Sequence, residues 1–118
     1  MRSGNIFKSD TSHDFNVSIA ANTAKDMVVV WTSTDPALNT HPQVRFAGRR
    51  AADANTLGSG VTLFTSPNCH KEGTATVLRW GDYSAVSVDP TNSLLFWIIN
   101  EKMNSQALWG SRVGRVGF

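Results

Sequence analysis

Two runs, Met27-Val28-Val29-Val30-Trp31 and Leu94-Leu95-Phe96-Trp97-Ile98-Ile99, are apolar at every position. Successive side chains of a β-strand point to opposite faces, so a strand apolar on both faces must be covered on both sides. Turn chemistry precedes each run: Ala21-Asn22-Thr23-Ala24-Lys25-Asp26 before the first, Asp89-Pro90-Thr91-Asn92 before the second. The rest of the chain follows the same grammar. Short strands are expected at 5–8, 15–21, 27–31, 44–46, 61–65, 74–78, 84–88, 94–100 and 109–118, separated by Gly, Pro, Asn and Ser clusters, about nine in all. Pro36 and Pro42 place 33–42 in a loop, because proline is excluded from a central strand. Residues 51–57 have room for a helical turn, which Gly58-Ser59-Gly60 stops. The expected fold class is all-β.

Composition narrows the function classes. With 118 residues the chain suits one domain, and with 17% charged against 41% hydrophobic residues it reads as globular. The net charge of +2 comes from eleven basic and nine acidic residues, without the Lys/Arg stripe of a nucleic-acid binder. No apolar run approaches the roughly 18 residues of a membrane span, and the given N-terminus shows no signal-peptide core. The lone cysteine, Cys69, excludes an intrachain disulfide and a multi-cysteine zinc site. His13, His41 and His70 fall in separate loops without ligand spacing, so no metal or cofactor is expected.

An internal repeat organises the strands. A shift of 67 positions lays Ile19 on Val86, Asn22 on Asp89, Val29 on Phe96, Val30 on Trp97, Arg45 on Arg112 and Phe46 on Val113. Asp14-Phe15 matches Asp82-Tyr83 only at 68, which places a bulge or insertion just upstream. Two copies of one unit result, about 14–65 and 82–118. The first has a fourth strand at 61–65 that the second lacks. Strands apolar on both faces suit small sheets stacked around an axis, as in β-propeller blades. Two blades do not close a ring, so the expectation is a homo-oligomer that completes a propeller, or a fragment of a longer one. The strand at 5–8 would complete an edge.

The segments Arg79-Trp80-Gly81-Asp82-Tyr83-Ser84, Val86-Ser87-Val88-Asp89-Pro90, Phe96-Trp97, Asn100-Glu101 and Trp109-Gly110-Ser111-Arg112-Val113-Gly114 resemble a repeat of large bacterial secreted proteins with sialidase-like, BNR-type propellers. The resemblance spans about 14–118 and implies a propeller, often extracellular. The Asp-box Ser-x-Asp-x-Gly-x-Thr-Trp is absent and no arginine triad with paired Tyr and Glu can be assigned, so no catalytic residue is carried over.

The candidate ligand-binding residues are Asp14, Arg79, Trp80, Asp82, Tyr83 and Trp109. Asp14 and Asp82 precede inner strands, where carboxylates either bind sugar hydroxyls or a cation, or cap turns by accepting backbone N–H bonds. Trp80, Tyr83 and Trp109 lie beside glycines, where a ring can stack on a sugar or plug a gap between blades. Trp31 and Trp97, inside strands, read as core. Arg45 and Arg112 recur at one blade position and are expected to pair with Asp82, Asp89 or Glu101. Glu101 has no evident carboxylate partner for acid–base work. The expected function is a non-enzymatic propeller module for assembly and binding, with a glycan as ligand and itself as partner. The alternatives are a fragment of a secreted sialidase-like glycoside hydrolase and a protein-interaction scaffold.

Overall fold

The computed structural model describes residues 6, 8–53, 57, 60–76 and 78–118. They form two antiparallel sheets. The first contains β1 (His13–Ala21), β2 (Met27–Asp35), β3 (Thr40–Arg49) and β4 (Val61–Thr65) in the order β1-β2-β3-β4; the second contains β5 (Ala85–Asp89), β6 (Asn92–Met103) and β7 (Trp109–Gly117) in the order β5-β6-β7. Each sheet has its apolar run on an inner strand, β2 or β6, as the need for two-sided cover requires. No helix among the described residues is long and apolar enough to cross a membrane.

The sheets meet through Val28, Val30 and Val44 of the first and Phe96 and Ile98 of the second, all buried. Behind β2, Val29, Trp31 and Ala47 form a second cluster, covered by Ile6 and Leu57. That cover is why β2 is buried on both faces. Behind β6 the cover is incomplete: Trp97 and Ile99 are 42% and 38% exposed, and Val113 beside them is exposed too.

Polar ties lace the sheets together at three places. β1 carries a bulge between Phe15 and Ser18 with Asn16 at φ 59, a left-handed conformation that asparagine tolerates better than most residues. The bulge turns Asn16 toward the second unit: its Nδ2 donates to the Gly81 carbonyl at 2.5 Å, and its own carbonyl accepts from Ser84 Oγ at 2.8 Å. The bulge falls where a change of offset from 68 to 67 would place one, although the strand pairing beyond it obeys 68 as well, so that change of offset is not its signature. Asn22 donates to the Ser93 carbonyl at 2.8 Å, and Ser66 Oγ accepts from the Met103 amide at 3.0 Å.

Several expectations change. A shift of 67 would carry the pair Ile19–Val29 onto Val86–Phe96, but Val86 pairs with Ile98 and Val88 with Phe96. A shift of 68 carries Ser18–Val30 onto Val86–Ile98, and Val30–Phe46 onto Ile98–Gly114, both of which are formed. Similar residues at neighbouring positions favour the wrong superposition, and backbone register decides between them. Pro42 lies inside β3, a central strand. It sits where the β2–β3 register breaks between Ser33 and Asp35, so its missing N–H interrupts no regular ladder, and its carbonyl accepts from Ser66 N at 2.8 Å.

Residues 74–76, expected in a strand, are exposed and turn-like; with no face to bury they gain nothing from a ladder. Val77 lies outside the described residues, as do Asn5 and Phe7 of the expected strand 5–8, and 54–56 and 58–59 of the expected helical turn.

Four aspartates are held below the ordinary carboxylate range by hydrogen bonds. Burial pushes Asp14 and Asp35 up, but it is outweighed by Ser12, the Lys8 amide and Trp31 at Asp14, and by Ser9, Thr11, the Leu38 amide and the Lys8 charge at Asp35. The Ala51 amide and Asn22 lower Asp26, and the Thr91 hydroxyl and amide lower Asp89. Stability linked to these groups is complete above the unfolded-state value, about 3.9, and is lost as pH falls through the lower folded-state values. The thermal midpoint should therefore hold from neutral to mildly acid pH and drop steeply below about pH 4. A steep loss already between neutral pH and about pH 5 would contradict this assignment.

Candidate functional site

The segment from Ser66 to Ser84 leaves the first sheet and crosses the end of the second before β5 begins. The Lys71 amide donates to the Gln106 carbonyl at 2.7 Å, which fixes this segment against the β6–β7 turn. Asn16 and Ser18 hold its other end through Gly81 and Ser84. Between the segment and the sheet lies a cleft of about 590 Å³, with Arg79, Asp82 and Tyr83 on the segment side and Ile99, Glu101 and Trp109 on the sheet side.

Four of the six candidates thus line one cavity: Arg79, Asp82, Tyr83 and Trp109. Tyr83 and Trp109 are 88% and 63% exposed. Arg79 Nη2 donates to Asp82 Oδ2 at 2.5 Å, a solvent-facing pair that leaves neither charge free. Trp80 lies behind the cleft rather than in it. Its ring meets Phe15 edge-on at 6.0 Å and His70 at 6.4 Å, so it fills the gap between the bulged end of β1 and the segment.

Asp14 is placed elsewhere. Its carboxylate accepts from Trp31 Nε1 at 2.7 Å, from the Lys8 amide at 3.2 Å and from the Ser12 hydroxyl, and is occupied in tying β1 to the buried face of β2. Asp89 does the same for Trp97 Nε1 at 2.9 Å while capping the β5–β6 turn through Thr91. The recurring arginines do not follow the expected pairing with Asp82, Asp89 or Glu101. Arg45 donates to Thr62 and to the Gly60 carbonyl and lies over the Trp31 ring, and Arg112 lies 5.3 Å from the Phe64 ring centre. Aromatic faces are close at hand on the neighbouring strands, and a guanidinium stacks on them readily.

Glu101 is the residue the sequence undervalues. It stands on β6 opposite Ser111, half-buried in the cleft. A Cβ at Gly81 would overlap its Oε2, so glycine there lets the carboxylate lie against the segment, and a larger residue would push it aside. Burial pushes Glu101 above the ordinary range, helped by Asp82 and opposed by the Gly81 amide and His70. The partner missing from the sequence is Asp82, nineteen positions away along the chain and brought in by the segment. No local motif signals that approach, because it depends on where the Lys71–Gln106 bond pins the segment.

Comparison with protein-family models, with curated proteins and with solved structures yields no match.

Proposed function

We propose that this chain is a non-enzymatic binding module built from two propeller-type blades, with a carbohydrate bound in the cleft between the 66–84 segment and β6–β7. The observation that carries this reading is the cleft itself: exposed Tyr83 and Trp109 rings beside polar groups from Arg79, Asp82, Ser84, Glu101 and Ser111. Flat aromatic faces cover the apolar C–H surface of a sugar, and the polar groups meet its hydroxyls. The Arg79–Asp82 pair supplies both donor and acceptor atoms at the rim. A glycan array probed with the purified protein tests this reading, with hits expected and the complete absence of hits opposing it.

Assembly is the second half of the proposal. Trp97 and Val113 are exposed on the outer face of the second sheet, and Val17 and Ile19 on that of the first. Apolar residues in strand-paired rows are what a ring of sheets would bury between neighbours, and identical copies close such a ring by cyclic symmetry. Light scattering should accordingly give a mass that is a multiple of 12.8 kDa, whereas a stable monomer would rule out closure by self-association.

A further inference from the structure

We propose that the cleft selects an amino sugar, a hexosamine whose protonated amine sits on the Glu101 carboxylate while its ring stacks on Trp109; this rests on the carbohydrate reading above. The charges lining the cleft give the first reason. Among the described residues they are Glu72, Asp82 and Glu101 against Arg79 and His70. Arg79 is already engaged with Asp82, so the surplus is negative and falls on Glu72 and Glu101. An anionic sugar would meet uncompensated carboxylates, and a neutral one would leave Glu101 without a charged partner. A cation satisfies it.

Geometry gives the second reason. Glu101 is opposite Ser111, and Trp109 lies two residues before Ser111 on β7, a diagonal of about 7 Å in an antiparallel pair. One pyranose ring with its substituents bridges that distance, which places a ring amine at the carboxylate when the sugar face covers the indole. Glu101 accepts from the Gly81 amide and from no side-chain donor among the described residues, so it retains acceptor capacity toward the cleft.

Asn100 supports this placement from behind. It is only 1% exposed, on the buried face of β6 with Phe96 and Ile98, and its Oδ1 accepts from the Glu101 amide at 2.8 Å, which holds the backbone at Glu101. An acceptor for an ammonium and a flat apolar face one ring's width away together describe a hexosamine.

Acidification should weaken this recognition. In the acid range, where the sugar amine is fully charged, Glu101 protonates before ordinary carboxylates and the attraction is lost. The other titratable groups facing Glu101 are His70, Glu72, Arg79 and Asp82.

The test is titration calorimetry at neutral pH with a β-1,4-linked glucosamine trisaccharide, its N-acetylated counterpart, sialyllactose and a lysine tripeptide. The glucosamine trisaccharide should bind about tenfold tighter than the acetylated one, as a charge-assisted hydrogen bond allows, and sialyllactose weakest of the sugars. Glu101→Gln should abolish the preference, lowering the affinity for the glucosamine trisaccharide about tenfold relative to the acetylated one. Gly81→Ala, which displaces the carboxylate without altering its chemistry, should do the same and guards against a folding defect in the first variant. Equal affinity for the amino and acetylated sugars would overturn the inference while leaving carbohydrate binding intact. Failure of every sugar to bind would overturn both, and a lysine tripeptide binding as tightly as the glucosamine trisaccharide would show that charge alone is read and overturn the stacked hexosamine.

Discussion

Replacing Trp31 by alanine should destabilise the protein by about 3–5 kcal/mol, the range for deleting a buried aromatic side chain. Trp31 is 0% exposed and packs with Val29 and Ala47 behind β2. Its loss also removes the donor to Asp14 Oδ1 and the ring under the Arg45 guanidinium. Gly60, at φ 70, passes so close that a Cβ there would overlap the Trp31 ring, so the space left behind is walled by backbone that cannot easily collapse into it. Trp31→Phe separates the two contributions: it keeps most of the apolar area and loses the hydrogen bond, for about 1–3 kcal/mol from the carboxylate left short of a donor. Denaturant melts of both variants measure this, and a Trp31→Ala cost below about 1 kcal/mol would mean that the second cluster is not a packed core.

Trp109→Ala should weaken glycan binding by about 30-fold or more while leaving the melting temperature nearly unchanged, since truncating a central aromatic at a recognition site commonly costs about 2 kcal/mol. The dissociation of the two readouts follows from position. Trp109 is 63% exposed at the start of β7, paired across to Met103, and adds little to either buried cluster. Trp80→Ala should behave in the opposite way, lowering stability first, because Trp80 packs on Phe15 and His70 behind the cleft. Calorimetry paired with thermal melts of both variants checks the contrast; equal loss of binding and stability in Trp109→Ala would place that ring in the core instead.

The residues differ in how legible they were. Met27–Trp31 and Leu94–Ile99 are legible as inner strands from their unbroken apolar runs between turn signals, but the expected cover on both faces holds only for β2; in β6, Trp97 and Ile99, and with them the expected core position of Trp97, stay exposed. A bulge does lie near Asp14, at Asn16, but the one-residue mismatch that points to it disappears once the strands are superposed at 68, so its position agrees with the expectation while its signature does not. Register was not visible. Ile19 resembles Val86 well enough to suggest a shift of 67, yet hairpin pairing obeys 68, because the backbone hydrogen bonds and turn lengths that fix register are only weakly encoded in residue type.

The site divided along the same line. Arg79, Asp82, Tyr83 and Trp109 stood out as charged or aromatic residues at turns, and they converge on one cleft. Asp14 looked equivalent to Asp82 in sequence, but Trp31 lies within its reach and takes its carboxylate into the fold. Glu101 is not legible as a site residue, because its neighbours in the cleft come from a loop whose path no periodicity describes.

The central claim is that the cleft over β6–β7 is the binding site, and amide chemical-shift mapping during a glycan titration tests it most directly. The account predicts that perturbations gather at Gly81, Asp82, Tyr83, Glu101 and Trp109 and leave Asp14, Val29 and Trp31 unmoved. Shifts centred on Asp14, or on the exposed Trp97 and Val113 with the cleft silent, would contradict it.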